Sequence, residues 1–344
     1  MLTSKEIEEL CKYFYIEHVP ENRNYWLVRT NGGIYFDDFY SNGFISIGWD
    51  EFSSIEQMKN EKEEDVKQQI EKIYKDQKRP GYIYNQIKRF MFDLKKGDMV
   101  LIPSENSSMI AFGIITEEFY TVNNSVPNIA LKKNPKCPFK KRIKIKWIKL
   151  LGKESFDPYM RMLMFAHSTV SNINEYKDNI NRILYPIYVV GDKIHFTYEI
   201  KSEDNIPFSA FSNFLNIVSS SLNEFDKITG TISSNANISV KTSLNSPGVV
   251  EIIGLIFAGG FALTVINAFL FGGKFDTSIL AIGKFSAETP GLLGTILKFI
   301  QEKNKNNTEL QKLEKDYKIQ QKLLKMKTPN GNHINSNDDS TTNN

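Results

Sequence analysis

An uncharged apolar segment constrains the fold of this chain more than any other feature. Residues 252–273 (IIGLIFAGGFALTVINAFLFGG) carry no charge, although 24% of the 344 residues are charged. A helix of about 20 apolar residues spans the hydrocarbon core of a bilayer, which is about 30 Å thick. The segment lies deep in the chain and is therefore not a signal peptide. The pattern predicts a transmembrane helix behind a long polar region.

Cysteine and histidine usage limits the chemistry. The two cysteines, Cys11 and Cys137, lie far apart and outside any metal-ligand spacing, and the four histidines are scattered. This distribution is typical of a reducing compartment and excludes a disulfide framework and the usual zinc sites. We therefore expect no catalytic residues, no metal and no cofactor, and we do not expect an enzyme.

Alternating segments predict strands in the first half of the chain. YWLVRT, GGIYFDDF and GFISIGW are separated by Asn-Gly pairs at 31–32 and 42–43, and RIKIKWIKL alternates apolar and basic residues. Charged segments with helical spacing cover 54–78 and 82–94. Later, IYVVGDKIHFTYEI is predicted as one strand, and PFSAFSNFLNIVSSSLNEF as a helix.

Several motifs in residues 20–175 carry a resemblance to a known family. They are Trp26 with Arg29, the stretch Phe39–Trp49 ending in Ile-Gly-Trp, Gly97-Asp98, Arg142 with Trp147, and Thr169. This set resembles the N-terminal domain of Mrr-type restriction endonucleases, which belongs to the EVE/PUA-like superfamily. The resemblance implies a small β-barrel whose pocket takes a nucleotide or an extruded, often modified, base.

Five residues are the candidate ligand contacts: Arg29, Asn31, Tyr35, Trp49 and Thr169. Aromatic rings beside glycine-rich turns can stack on a base, and Arg29 and Asn31 can hydrogen-bond its edge or a phosphate. The alternative is that the tryptophans fill the barrel core; of the three, Trp49 is expected to line the pocket.

A basic stretch follows. Between Phe119 and Lys153 there is no acidic residue, and unrelieved positive charge attracts phosphates. Anionic lipid headgroups would be attracted as well, and a solvated lysine face is the simpler alternative. The expected phosphate contacts are Lys140, Lys141, Arg142, Lys144 and Lys146.

Together these patterns predict an α+β chain in five parts. They are an EVE/PUA-like sensing domain (1–186), an α+β connector (187–246), a transmembrane helical hairpin (247–300), a C-terminal amphipathic helix with coiled-coil spacing (301–327) and a disordered tail (328–344). The residues that follow the apolar segment are more basic than those that precede it. The positive-inside tendency therefore places the C-terminal helix in the cytosol. A returning segment at 279–300 would satisfy this topology, and a single crossing is the alternative.

Small and polar residues within the apolar segment predict close helix packing or a pore lining. A small residue recurs every four positions, Thr264 and Asn267 share a face, and Glu251 at the entry suits a ring of carboxylates. The expected pore or helix-interface residues are Glu251, Gly254, Ala258, Ala262, Thr264 and Asn267.

This layout also resembles anti-phage transmembrane effectors such as the Hailong-type effector. The resemblance implies an inner-membrane, homo-oligomeric pore or ion channel of bacterial defence, with the N-terminal domain and the C-terminal helix in the cytosol. Its gating ligand would be a nucleotide, a single-stranded oligonucleotide or modified DNA. The lipid bilayer and a signal-producing nucleotidyltransferase would be its partners.

Two alternatives stay open. One is an Mrr-like restriction nuclease acting on modified DNA, although Glu199-Ile200-Lys201 is its only candidate metal motif near a strand and lacks a preceding acid. The other is a passive tether between DNA and the membrane.

Overall fold

The computed structural model describes residues 7–8, 11–12, 16–76, 79–122, 135–156, 158–200, 206–230, 238–243, 248–255, 302 and 305–327. The chain divides into two compact units. The N-terminal unit is Asn22–Ile180, and the C-terminal unit combines Met1–Glu21 with Asn181–Asn344.

The strands, in chain order, are β1 (Glu17–Val19), β2 (Tyr25–Val28), β3 (Phe44–Ile47), β4 (Met99–Pro103), β5 (Met109–Ile115), β6 (Tyr120–Thr121), β7 (Lys141–Gly152), β8 (Val170–Asn172), β9 (Ile187–Val190), β10 (Lys193–Ile200), β11 (Ile238–Ser243), β12 (Gly248–Leu255) and β13 (Met326–Lys327). The α-helices are α1 (Phe36–Asn42), α2 (Ile55–Asn60), α3 (Glu63–Ile73), α4 (Pro80–Lys88), α5 (Pro158–Arg161), α6 (Lys177–Leu184), α7 (Phe208–Thr229) and α8 (Thr308–Leu323). A π-helical turn, Arg89–Asp93, extends α4.

The sheet of the N-terminal unit curls into a half-barrel. Its strand order is β3-β7-β5-β4-β2-β8, with β6 also paired to β7. The long strand β7 pairs with both β3 and β5, and a bulge between Phe112 and Gly113 bends this ladder. The resemblance to the EVE/PUA-like superfamily implied a small β-barrel, and the described strands form a curled half-barrel.

One pair of strands in this sheet is parallel. Strand β2 runs parallel to β4, while its other neighbour, β8, is antiparallel. Parallel strands end at the same edge of a sheet, so the loops that follow Val28 and Pro103 emerge side by side. This edge carries residues that the sequence singled out.

The segment GGIYFDDF is a turn that leads into helix α1, and the prediction of a strand there was wrong. Residues Phe36 and Phe39 are buried one helical turn apart in α1, and the acidic Asp37 and Asp38 occupy its first turn. Carboxylates at that position favour a helix through the macrodipole. Gly43 ends the helix with a left-handed φ of 66°.

The sheet of the C-terminal unit has the order β1-β9-β10-β12-β11, with β13 paired to the end of β10. The segment predicted as one strand is a hairpin that turns at Gly191, where φ is +58°. Helices α7 and α8 cover one face of the sheet and form a core with it. That core includes Phe196, Phe214, Val250, Ile252 and Tyr317.

The predicted transmembrane hairpin at 247–300 is contradicted. In the part of the chain that the structure describes, every helix is too short or too polar to cross a bilayer. The apolar run begins in a strand, because Ile252–Leu255 belongs to β12 and pairs with β10 on one side and β11 on the other. An uncharged apolar run is compatible with a central strand of a sheet and with a membrane helix. The predicted transmembrane helix and the pore built on it are corrected accordingly.

The residues assigned to a pore divide into two groups. Glu251 and Gly254 lie in β12, where they cannot form a helix interface. Ala258, Ala262, Thr264 and Asn267 lie outside the described residues, as do the segment 279–300 and the tail from 328.

Glu251 is a structural carboxylate in the sheet. Its Oε1 accepts hydrogen bonds from the Tyr188 hydroxyl at 2.7 Å and lies 2.9 Å from His195 Nδ1. The Tyr188 and His195 rings stack with centroids 4.4 Å apart. The side chain of Glu251 is 1% exposed, so its Oε1 has these two groups in place of water.

Removal of this carboxylate should therefore destabilise the C-terminal unit. We expect Glu251→Ala to lower the free energy of unfolding by about 2–4 kcal/mol, because two polar groups lose their buried partner. Urea denaturation followed by circular dichroism measures the change. Ser239→Ala, at an exposed position in the neighbouring strand β11, is the control and should stay within about 0.5 kcal/mol. An equally small effect of Glu251→Ala would contradict the structural role.

Candidate functional site

Two loops meet where the parallel strands β2 and β4 end. Residues Asn31, Gly32 and Gly33 have φ values of 55°, 70° and 100°, so three consecutive residues are left-handed. The Thr30 hydroxyl donates to the Pro103 carbonyl at 2.6 Å and fixes the first loop to the end of β4. A Cβ atom on Gly33 would lie 2.3 Å from the Glu105 Cα. The loop after β4 therefore passes so close to residue 33 that only glycine fits there.

This turn places Asn31 beside Tyr35. The Tyr35 amide donates to the Thr30 carbonyl at 3.1 Å and closes the turn. The Asn31 side chain is exposed, while the Tyr35 ring is buried. Burial raises the pKa of Tyr35, so its hydroxyl stays a donor.

Trp49 has an unusual backbone. It follows β3 and Gly48 with a φ of +63°, a conformation that bulky side chains avoid. Such a conformation costs about 1–3 kcal/mol and persists only where surrounding contacts hold it. The Trp49 ring is half-buried against the core of the unit.

A buried lysine holds this turn. Lys141 Nζ donates to the Trp49 carbonyl at 2.6 Å and lies 3.7 Å from Asp50 Oδ1. The Lys141 side chain is 0% exposed. Asp50 Oδ1 also accepts the Lys140 amide at 2.9 Å, so the turn after β3 is fixed to the start of β7.

Burial lowers the pKa of Lys141 to about 8, although the nearby Asp50 and Glu51 act in the opposite direction. The lysine is thus charged at neutral pH but close to titration. Because the ammonium is enclosed and donates to a backbone carbonyl, Lys141 cannot contact a phosphate. Its predicted role as a phosphate contact is replaced by a structural one.

Phe139 joins the Trp49 turn to Tyr35. Its ring makes an edge contact with the Tyr35 ring at a centroid distance of 5.3 Å. The position of a Cβ on Gly48 would be 3.4 Å from the same ring. Phe139 therefore lies between the Tyr35 ring and the turn that carries Trp49, and we call Asn31, Tyr35, Trp49 and Phe139 the aromatic cluster.

The segment that carries Phe139 is held by a buried carboxylate. Asp38 Oδ2 accepts the Cys137 amide at 2.9 Å, and Asp38 Oδ1 accepts Lys136 Nζ at 2.8 Å. Arg142 donates to the Cys137 carbonyl at 3.3 Å and lies over the Phe44 ring. Burial raises the pKa of the Cys137 thiol to about 11, so this cysteine is an uncharged packing residue.

Arg29 and Thr169 lie beside the cluster and contact each other. The Arg29 amide donates to the Thr169 carbonyl at 2.9 Å. The guanidinium donates to the carbonyls of Met164 and Ala166, with an Nε distance of 3.0 Å to Ala166. Arg29 thus positions the segment before β8. Its guanidinium, predicted to contact a base edge, is bonded to backbone carbonyls of the protein itself.

The other two tryptophans have structural partners. Trp26 is buried and its Nε1 donates to Asp98 Oδ2 at 2.9 Å. Trp147 Nε1 donates to the Phe39 carbonyl at 3.1 Å. Of the three rings, Trp49 is the one at the aromatic cluster.

The remaining basic residues lie along β7. Lys144 and Lys146 are exposed on one face of the strand, and Lys140 is exposed at its start beside Phe139. Lys144 pairs with Glu117 at 2.7 Å. In the described residues of β7 and the segment before it, Lys140 and Lys146 are the exposed lysines for which no ion pair is found.

Phe139 was not among the predicted ligand contacts, and Lys141 was predicted on the exposed side of its strand. Phe139 is a lone aromatic residue in a Pro- and Lys-rich loop, and that isolation was its only signal. Lys141 has the same parity in β7 as Ile143 and Ile145, and all three are buried. Strand alternation therefore indicated an inward lysine.

A nuclease centre was the other chemical possibility. Glu199 lies half-buried in β10, while Lys201 is outside the described residues. In the described ranges, no three or more His, Cys, Asp or Glu side chains form a group suited to a metal ion.

Residues 26–174 match the model of a family described as a domain of unknown function (DUF8426). The matched region lies inside the N-terminal unit and contains the whole aromatic cluster. No curated protein matches the chain.

The close approach of the two loops gives a first test of this geometry. We expect Gly33→Ala to lower the free energy of unfolding by about 3 kcal/mol, because the new methyl group meets the Glu105 backbone and φ is +100°. Thermal and urea denaturation measure the loss. Gly97→Ala is the matched control: its φ is +93°, but open space surrounds the added methyl group. A loss of only about 1 kcal/mol is expected there, and equal losses in both variants would contradict the loop contact.

The pH dependence of stability tests the buried lysine. The unfolded chain retains the proton on Lys141 up to a pKa near 10.5, whereas the folded chain releases it near 8. Between these values the unfolded state binds more protons, so this group makes stability rise with pH by up to about 3 kcal/mol. The free energy of unfolding of the native protein minus that of Lys141→Met should therefore increase from pH 8 to pH 10.5. The raised thiol pKa of Cys137 works in the other direction in both proteins and cancels in the difference. A difference that is flat with pH would show that the lysine is not buried.

Proposed function

We propose that the N-terminal unit binds a nucleobase presented by single-stranded or locally opened nucleic acid. The observation that carries this proposal is the left-handed backbone of Trp49, held by the buried Lys141 at 2.6 Å. A protein that keeps a bulky aromatic residue in such a conformation, and encloses a charge to do so, gains from the position of that ring.

The aromatic cluster has the chemistry that a base requires. Planar rings stack on any base with about 1–3 kcal/mol per base. Trp49 is half-buried, so it combines a fixed position with an accessible part of its ring. The Phe139 ring lies against the turn that carries Trp49, and its centroid is 5.3 Å from that of the Tyr35 ring.

Asn31 adds a polar edge to this surface. Its exposed amide offers both a donor and an acceptor, the combination that reads the edge of a base. The backbone position of Asn31 is fixed by its left-handed turn. Gly32 and Gly33 continue the same conformation, and the Thr30 hydroxyl is bonded to the Pro103 carbonyl.

Positive charge lies close to the cluster. Lys140 is exposed next to Phe139, and Lys146 is exposed further along β7. Lysines in these places can neutralise phosphates on either side of a bound base and release counterions. The motif resemblance to the N-terminal domain of Mrr-type endonucleases supports the same class of ligand.

The test removes the two recognition groups without disturbing the backbone. Glycine accepts a positive φ, so Trp49→Gly and Asn31→Gly delete a side chain while keeping the turn. Binding of a fluorescent single-stranded DNA of roughly 12 nucleotides is measured by anisotropy on the full chain. We expect Trp49→Gly to weaken binding by about 5- to 100-fold and Asn31→Gly by about 10-fold, from one lost stacking or hydrogen-bonding contact.

A matched control separates recognition from backbone change. Asn306→Gly makes the same replacement at a φ of +58° in the C-terminal unit and should leave binding unchanged. Unfolding midpoints confirm that all variants are folded. Absence of binding by the native protein, or equal affinity in all three variants, would contradict a base-binding role.

A further inference from the structure

A projecting apolar turn is bonded to Arg29, two residues before Asn31 of the proposed base site. Residues Met162–Phe165 form a 3-10 turn directly after α5. Met162 is 59% exposed and Phe165 is 74% exposed. A 3-10 helix has three residues per turn, so these two side chains project from the same edge.

The backbone of this turn is fixed, although its outer side chains are exposed. Met160 and Leu163 are buried and anchor the inner side. The Arg29 guanidinium donates to the carbonyls of Met164 and Ala166, and Arg161 Nε donates to the Phe156 carbonyl at 3.0 Å. Phe165 is therefore held out from the surface by bonds on both sides of it.

Arg29 also connects this turn to the recognition loop. It precedes Thr30 and Asn31 in the chain, and its own amide is bonded to the Thr169 carbonyl. The Arg29 side chain thus fixes the Met162–Phe165 turn, and the Arg29 backbone leads into the loop that carries Asn31. Ile34, in the same loop, is a further exposed apolar residue.

Resting on the proposed function, we infer that Phe165, with Met162 beside it, is a wedge that enters a DNA duplex and takes the place of the base drawn into the aromatic cluster. A base inside a duplex cannot reach such a site until it leaves the stack, which costs a few kcal/mol. Apolar side chains inserted between base steps offset that cost and hold the duplex open. The exposed Arg161 and His167 on either side of the turn suit the flanking phosphates.

A wedge affects the binding of duplex DNA and not that of a single strand. Comparing the two probes therefore distinguishes the wedge from base binding. The full chain is titrated with two probes: the single strand used above, and a short duplex of the same sequence with 2-aminopurine in a central mismatched pair. Anisotropy gives affinity, and 2-aminopurine fluorescence rises when that base leaves the stack. We expect Phe165→Ala to weaken duplex binding at least about fivefold and to abolish the fluorescence rise, while single-strand affinity stays within about twofold.

Phe208→Ala is the matched control, because Phe208 is 85% exposed in the C-terminal unit. It should change neither probe. Normal duplex binding and an unchanged fluorescence rise in Phe165→Ala would overturn the wedge. So would a native protein that binds the single strand but not the duplex, and in both cases base binding would stand. A native protein that binds neither probe would overturn both proposals, and loss of single-strand binding in Phe165→Ala would place Phe165 in the base site and not in a wedge.

Discussion

The hydrogen bond from the buried Lys141 ammonium to the Trp49 carbonyl organises the N-terminal unit. It joins the turn after β3 to the first residue of β7 and holds an aromatic residue at a φ of +63°. The neighbouring Lys140 amide bonds to Asp50, so the same turn is held at a second point. Enclosing an ammonium is costly, and its lowered pKa expresses that cost. The position of Trp49 in the aromatic cluster depends on this contact.

The rest of the cluster depends on strand order. Because β2 and β4 are parallel neighbours, their following loops leave the sheet at one edge and the Gly33 backbone can lie against Glu105. The buried Asp38 accepts hydrogen bonds from Lys136 and from the Cys137 amide, and so holds the segment that carries Phe139. Three separate parts of the chain therefore supply the cluster, and long-range contacts hold each of them.

Predictions from the sequence succeeded where local periodicity decides the structure. The alternation in RIKIKWIKL corresponds to β7, and the apolar spacing in 208–225 corresponds to α7. The predictions failed where one sequence pattern is compatible with both a helix and a strand. FDDF has apolar residues three apart and formed a helix, while the apolar run from Ile252 began in a strand between two others. In β12 a single carboxylate, Glu251, is met by Tyr188 and His195, two partners that lie about 60 residues earlier in the chain.

The sequence by itself determined the local elements of this protein: the strands that alternate, the helices that repeat near every third or fourth residue, and the Asn-Gly-Gly turn that needs a left-handed backbone. It also singled out Asn31, Tyr35 and Trp49 as a group. Only the tertiary structure decided that Lys141 points inward to Trp49, that Phe139 joins the cluster and that Arg29 holds a projecting turn. Periodicity follows from the geometry of a few adjacent residues, whereas these contacts join residues 92 or more positions apart. Such contacts are selected by strand pairing and burial across the whole unit.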